Sequence, residues 1–265
     1  MVFDFVGENW RLWFKLMIYF LLPFSVLLGS TFATFYNEND TPMPDIAYVM
    51  SAVLFILGCA VVTALEILLV KWYETHNFTL EGCDVGTMWR MISKPSLKCL
   101  GIIVLWTPLV ALALMSIVIP IIGFVVMFAM LPVFLMCPIM LLEPENTFTG
   151  IVSRAFSLGY KKWGSLILVA VVMGIVGAML NNAITFPLGI FVTFQTVLDF
   201  SPSDSAFWSF IIDVFFYIMC VAECFMIFVE LGLFVLAMTY HYGSVAAEVE
   251  DIGLESDIDD FANLK

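Results

Sequence analysis

The sequence predicts an all-α membrane protein with six transmembrane helices paired as three hairpins, each preceded by a short amphipathic interfacial helix. Three observations carry that prediction. The chain is 62% hydrophobic and 12% charged, with a mean hydropathy of +1.04, whereas soluble domains sit near about 45–50% apolar and about 25% charged. Apolar runs of about 20 residues, the length that crosses a bilayer, recur along its 265 residues. All ten Lys and Arg (Arg11, Lys15, Lys71, Arg90, Lys94, Lys98, Arg154, Lys161, Lys162 and Lys265) fall on one side of the six-span topology, and segments 37–45 and 195–205 on the other side hold none. An excess of bases marks the cytoplasmic side. The expected location is therefore a cytoplasmic (inner) membrane, multi-pass, with both termini inside.

Span 1 is expected from about Leu12 to Tyr36, through Pro23. Thr31 and Ala33 after an apolar run resemble a cleavage site, but Asp4, Glu8 and the aromatics ahead of it make a poor basic leader, so the span is expected to be retained. Residues 37–45 form an acidic loop. Span 2 runs from about Ile46 to Val70 and meets Lys71 and Trp72. Residues 73–98 form an inner loop. Residues 99–142 are long enough for two spans, with a break near Ser116–Gly123. After an inner segment at 143–163, span 5 starts at Gly164 and Pro187 is expected to end its crossing. Span 6 covers Ala206 to Tyr242. Two readings stand for residues 188–198 and 206–214: interfacial half-helices, or extensions of two tilted long helices. Five of the seven Trp (Trp10, Trp13, Trp72, Trp89, Trp163) lie near the inner boundary, the headgroup level that indole prefers.

One unit is used three times, over about 1–72, 80–142 and 146–242. Asp4, Glu8, Arg11 and Lys15 recur at helical spacing opposite Phe3, Val6, Trp10 and Trp13, as on an amphipathic helix. Val85, Met88, Trp89 and Ile92 oppose Thr87, Arg90 and Lys94; Phe148, Ile151, Ala155 and Leu158 oppose Gly150, Arg154, Ser157 and Lys161. Each copy holds Gly-x-x-x-Arg, at Gly7–Arg11, Gly86–Arg90 and Gly150–Arg154. Such helices lie in the interface with bases near phosphates. The candidate headgroup collar is Arg11, Lys15, Arg90, Lys94, Arg154, Lys161 and Lys162.

The stretch from Pro132 to Gly164, with Pro138, Leu142-Glu143, Ala155, Ser157-Leu158-Gly159 and Lys161, resembles the glycerophosphoryl diester phosphodiesterase membrane-domain family of bacterial integral membrane proteins. Phe156-Ser157-Leu158 departs from the family's spaced Ser-x-x-Leu. The specific likeness covers about 30 residues. It implies a bacterial cytoplasmic-membrane protein and does not imply phosphodiesterase activity, which in the family's enzymes belongs to a separate soluble domain for which a 1–247 membrane domain and a 248–265 tail leave no room.

Ionisable groups inside a membrane are costly and mark function or helix fastening. Glu223 and Glu230 are seven residues apart, so they share one face of span 6 about 10 Å apart. Asn181 and Asn182 in span 5 are the expected polar partners. This cluster reads either as a proton, cation or substrate site or as helix glue. Glu66, five residues before Lys71, is expected to snorkel to the inner interface. Glu143 and Glu145 are expected to serve a helix N-terminus. The tail from Glu248 to Asp260 carries seven acids and no base, as a solvated tail or an acidic-hydrophobic docking peptide.

The six Cys avoid the outer loops and are expected to stay reduced. His76 and His241 form no ligand pattern, so no metal or cofactor is expected. No basic stripe suggests nucleic acid, and no nucleophile elbow, phosphate loop or dinucleotide fingerprint occurs. The expected function is a non-enzymatic membrane scaffold or accessory protein that organises lipid or a protein partner, homo-oligomers included. The alternative is a permease-like carrier using Glu223 and Glu230.

Overall fold

A computed structural model describes residues 2–37, 45–76, 78–115, 130–197 and 206–262. Every element among them is helical: α1 (Val2–Asn37), α2 (Asp45–Thr75), α3 (Val85–Met115), a 3-10 turn (Leu131–Leu135), α4 (Met136–Leu142), α5 (Phe148–Lys161), α6 (Trp163–Val197) and α7 (Ala206–Ala262). Four stretches are long and apolar enough to cross a membrane: Val2–Thr34, Ile46–Thr75, Trp163–Ile190 and Phe210–Glu248. The break expected at Ser116–Gly123 lies outside the described residues, as does the loop at 38–44.

Lipid offers the backbone no partners, so continuous helix is the way to satisfy it. The hydroxyls follow the same rule. Ser25, Thr31, Ser51 and Thr239 each donate to the carbonyl four residues back. That pressure explains two corrections. The amphipathic segments of the first two units are not separate helices: α1 and α3 run unbroken from amphipathic start into apolar span, α3 through Pro95 and Pro108. Only the third unit keeps a separate interfacial helix, α5, because Lys162 leaves helical geometry (φ −120°, ψ 37°) before α6 begins. Pro187 does not end the fifth crossing; α6 continues to Val197, since proline removes one hydrogen bond without forbidding the helix on its far side. Within residues 188–197 and 206–214 the helical-extension reading therefore holds. The boundary expected at 247/248 is also crossed by helix, as α7 runs on to Ala262.

The core sits where α1, α2 and α7 meet. Leu16, Met17 and Leu21 of α1, Val62 to Val70 of α2, and Phe228 and Leu236 of α7 are buried. The most apolar window of α2 is 67% buried and that of α6 17%, so α2 is the central helix and α6 a peripheral one packed on α7. Small residues permit the closest approaches. A Cβ on Gly29 would lie 2.7 Å from the Val221 backbone, so the main chains of α1 and α7 approach with no side chain between them. Gly159 of α5 receives the Pro132 ring in the same way.

Polar caps tie the starts of α3 and α5. Asp84 accepts the Thr87 N–H at 2.8 Å to start α3, and Thr147 accepts the Gly150 N–H at 3.3 Å to start α5, the usual first-turn device. Lys71 of α2 donates to the Leu141 carbonyl at 3.4 Å, closing the C-terminal end of α4. Gly82, at φ +75°, makes the turn ahead of α3 that other residues rarely adopt.

Candidate functional site

The acidic residues that are buried or half-buried within the candidate spans fall into two places. The first lies between α6 and α7. Glu223 accepts a hydrogen bond from the Thr185 hydroxyl at 2.6 Å. The same hydroxyl lies 3.0 Å from the Asn181 backbone carbonyl. Two turns further in, the Glu230 carboxyl packs over Gly177, occupying the space a Cβ there would need. Both carboxylates thus face α6, as their seven-residue spacing requires. Asn181 lies between these two levels, one turn from Thr185. Its Oδ1 and the Oε2 of Glu223 are shielded and have no hydrogen-bond partner among the described residues. Asn182 does not reach the α7 carboxylates; its amide donates back to the Ala178 carbonyl at 2.6 Å. Gly177 is a close-packing position and Gly174, with nothing within 4 Å, is not.

Thr185 was not among the expected residues. The signal for it is positional: it lies four residues beyond Asn181, so the two share a face.

The second place is Glu66. It does not snorkel towards Lys71. It is 0% exposed, and Oε1 accepts the Trp13 indole N–H at 2.9 Å. Oε2 has no partner among the described residues. Gly232 of α7 makes room: a Cβ there would lie 3.1 Å from Glu66 Oε1 and would overlap the Met17 methyl. The correction has a clear cause. Val62 to Val70 is apolar on every side of Glu66 save Thr63, and a helix apolar all round is enclosed by others. The wet interface at Lys71 is out of reach from that position. Trp13, read as a boundary indole, is here the donor to a buried carboxylate.

Outside the apolar stretches, Glu143 gathers three donors. Tyr242 donates to Oε1, Arg154 pairs with the same oxygen at 2.7 Å, and Asn146 donates to Oε2 at 2.5 Å. Glu143 therefore caps no helix start. It ends α4 and ties α4, α5 and α7 together, while Thr147 caps α5. Glu145 is exposed. Lys162 pairs with Glu248, fastening the α5–α6 corner to α7. The collar accordingly divides. Arg154 and Lys162 spend their charge on internal carboxylates. Arg11, Lys15, Arg90, Lys94 and Lys161 are exposed, and none of these five makes an ion pair with a described carboxylate. The Arg11 guanidinium lies 5.6 Å over the Trp10 ring, a favourable cation–π placement.

In the loop between α2 and α3, burial pushes the Cys83 thiol up to about 11, and the neighbouring Asp84 charge adds to the shift. Hydrogen bonds from Thr87 hold the Asp84 carboxyl below its ordinary value. His76 stacks on Trp72 at 4.0 Å and is exposed; His241 is half-buried on α7. Among the described residues no three His, Cys, Asp or Glu converge as a metal set, and all six cysteines are free. No family model, curated protein or solved structure matches the chain.

Proposed function

We propose that the chain is a non-enzymatic membrane scaffold or accessory protein of six spans in three hairpins, related to the membrane part of the bacterial glycerophosphoryl diester phosphodiesterase family. It organises lipid or a protein partner at the cytoplasmic face of an inner membrane. The observation that carries this reading is the division of the collar. Arg11 and Lys15 on α1, and Arg90 and Lys94 on α3, are exposed and form no close ion pair with a described carboxylate, though Arg90 lies near enough to Asp84 to attract its charge, and they stand beside the exposed rings of Trp10 and Trp89. Bases next to indoles suit the anionic headgroup layer, where each is worth about 1 kcal/mol. The prolongation of α7 to Ala262 supplies a helical arm on the same side for a partner.

The test is native mass spectrometry of protein gently extracted from its own membrane. A stoichiometric protein or a defined anionic lipid is expected on the wild type. Arg11→Glu with Arg90→Glu is expected to lose it while the fold persists. Retention in that double variant, or a bare chain in the wild type, would remove the scaffold reading.

A second reading is favoured by the α6–α7 seam. Shielded, unpartnered oxygens on Glu223 and Asn181 suit a carrier that moves a small solute past intramembrane carboxylates. Glu223→Gln with Glu230→Gln should then abolish flux in proteoliposomes without unfolding the protein. Undiminished flux would dismiss that mechanism.

A further inference from the structure

We propose that the α6–α7 seam binds a small monovalent cation, sodium or a proton, on the oxygens of Glu223, Thr185 and Asn181. The inference rests on the carrier reading and names its ligand. It starts from a shortage of hydrogens. The Thr185 hydroxyl lies within hydrogen-bonding distance of two oxygens, Glu223 Oε1 at 2.6 Å and the Asn181 carbonyl at 3.0 Å. A hydroxyl has one hydrogen to give. One of those two contacts is therefore oxygen against oxygen, with nothing positive between.

Further acceptors sit on the same two residues. Glu223 Oε2 and Asn181 Oδ1 are both shielded and unpartnered among the described residues, and both are acceptors. Two turns in, the Glu230 carboxyl adds a further acceptor over Gly177. Pro187 brings no N–H to α6, so the Ala183 carbonyl on the same turn as Thr185 also lacks its helical donor. Against these acceptors the seam offers the Thr185 hydroxyl and the two N–H groups of the Asn181 side-chain amide, so acceptors still outnumber donors. A cation corrects that imbalance; an anion or a neutral acceptor would deepen it.

The chain itself brings no counter-charge there. From Gly164 to Val197, α6 has no basic or acidic residue, and neither does α1 from Leu22 to Thr34. The titratable groups within seven residues of Glu223 on α7 are Tyr217, Cys220, Cys224 and Glu230. The bases just ahead of α6, Lys161 and Lys162, are about 20 residues from Asn181, roughly 30 Å along a helix.

The donor set points to the charge of the ion. One carboxylate with a hydroxyl and an amide oxygen balances one positive charge. Calcium takes six to eight oxygens, commonly from several carboxylates, and magnesium demands octahedral geometry with waters retained. Zinc sites use thiolate and imidazole, and no imidazole lies on this stretch. Glu230, about 10 Å along the helix from Glu223, is too far to share the same ion and is placed as a second station on the same track.

The experiment uses the full chain purified in detergent. Its thermal unfolding midpoint is followed in sodium chloride against choline chloride at equal ionic strength, then across pH in choline alone. A ligand that binds only the folded state raises the midpoint in a saturable way. A saturable sodium shift lost in Glu223→Gln and in Asn181→Leu supports the proposal and assigns sodium. A pH-dependent shift, lost in Glu223→Gln with no sodium effect, supports it and assigns the proton. Thr185→Val, which keeps the side-chain shape, should weaken either shift and serves should Glu223→Gln fail to fold. A midpoint that follows neither sodium nor pH through Glu223 overturns the proposal. Binding and transport separate cleanly. A cation effect without flux retains this site and removes the carrier, whereas flux indifferent to Glu223-dependent cations retains the carrier and removes this site.

Discussion

At Glu66 a single indole nitrogen stands between a buried carboxylate and having no partner. Trp13 donates the one hydrogen bond that reaches it among the described residues. Trp13→Phe keeps the ring and removes that donor, so it should cost about 1–3 kcal/mol in denaturant unfolding in detergent, the usual cost of stranding a buried polar group. Glu66→Met in the Trp13→Phe background should recover most of that loss, because an apolar side chain of similar volume needs no partner. Additive losses in the two single variants and their combination would show that the bond is not made. Cys83 offers a second test at this scale. Burial and the Asp84 charge both disfavour its thiolate, so the thiol stays protonated at neutral pH and ionises only as pH approaches about 11. Maleimide should therefore modify Cys83 roughly 100-fold more slowly in the folded protein than after unfolding at pH 7.5, because the thiolate is the nucleophile. Equal rates would refute the enclosure of that loop. These two residues also mark what a sequence can say. The cost of a carboxylate at position 66 is visible in the sequence, but the direction it faces is set by Trp13 and Gly232, 53 and 166 residues away. Sequence distance to Lys71 was a poor guide because burial is decided by α1 and α7, not by α2.

Along the elements, glycine separates contact from spacing. The three Gly-x-x-x-Arg copies pick out the inner helices, yet their glycines touch no other element. Gly7 meets nothing within 4 Å, and Gly86 and Gly150 meet only the cap residues beside them, Asp84 for one and Asn146 and Thr147 for the other. The spacing of the motif is legible in the sequence, but the use of its glycines is not, because close approach depends on the partner helix. Gly29 and Gly232, which carry no motif, are where α1, α2 and α7 close up. Gly7→Ala should hold or raise stability, by up to about 1 kcal/mol from helix propensity. Gly29→Ala should lower it by about 1–3 kcal/mol, since its Cβ would meet Val221 main-chain atoms at 2.7 Å, and a helix backbone cannot swing aside as a side chain can. Thermal unfolding of the two variants side by side is the measurement. A harmless Gly29→Ala would mean that α1 and α7 do not pack this closely. The helix boundaries followed the same logic. Proline suggested an end to the crossing at Pro187, and the switch from amphipathic to apolar pattern suggested separate helices ahead of the first two hairpins, but in a lipid-like setting the backbone gains more from continuing as helix, and α1, α3 and α6 run on unbroken.

For the molecule as a whole, the distribution of charge is a statement about sides. The acidic segment at 37–45 lies on one side of the six-span plan and every base on the other. α7, at 57 residues, spans about 85 Å, far more than the roughly 30 Å apolar core of a bilayer, and its excess includes the acidic stretch beyond the Lys162–Glu248 pair. α1, α2, α6 and α7 alone would also put both termini on one side, so the terminal positions do not distinguish four crossings from six. The segment between α3 and α4 does. In intact cells, Asn39→Cys should react with a membrane-impermeant maleimide, whereas Glu81→Cys and Glu145→Cys should react only after the membrane is opened. The native thiols are buried or half-buried, which keeps the background low. Ser116→Cys, at the expected tip of the middle hairpin, is the deciding position. Labelling from outside establishes two crossings between Cys99 and Leu142 and the positive-inside plan with them. Labelling only from inside makes that segment a re-entrant loop, leaves four crossings, and confines the lipid-spanning part of the chain to the helices that already bury Glu66 and flank Glu223.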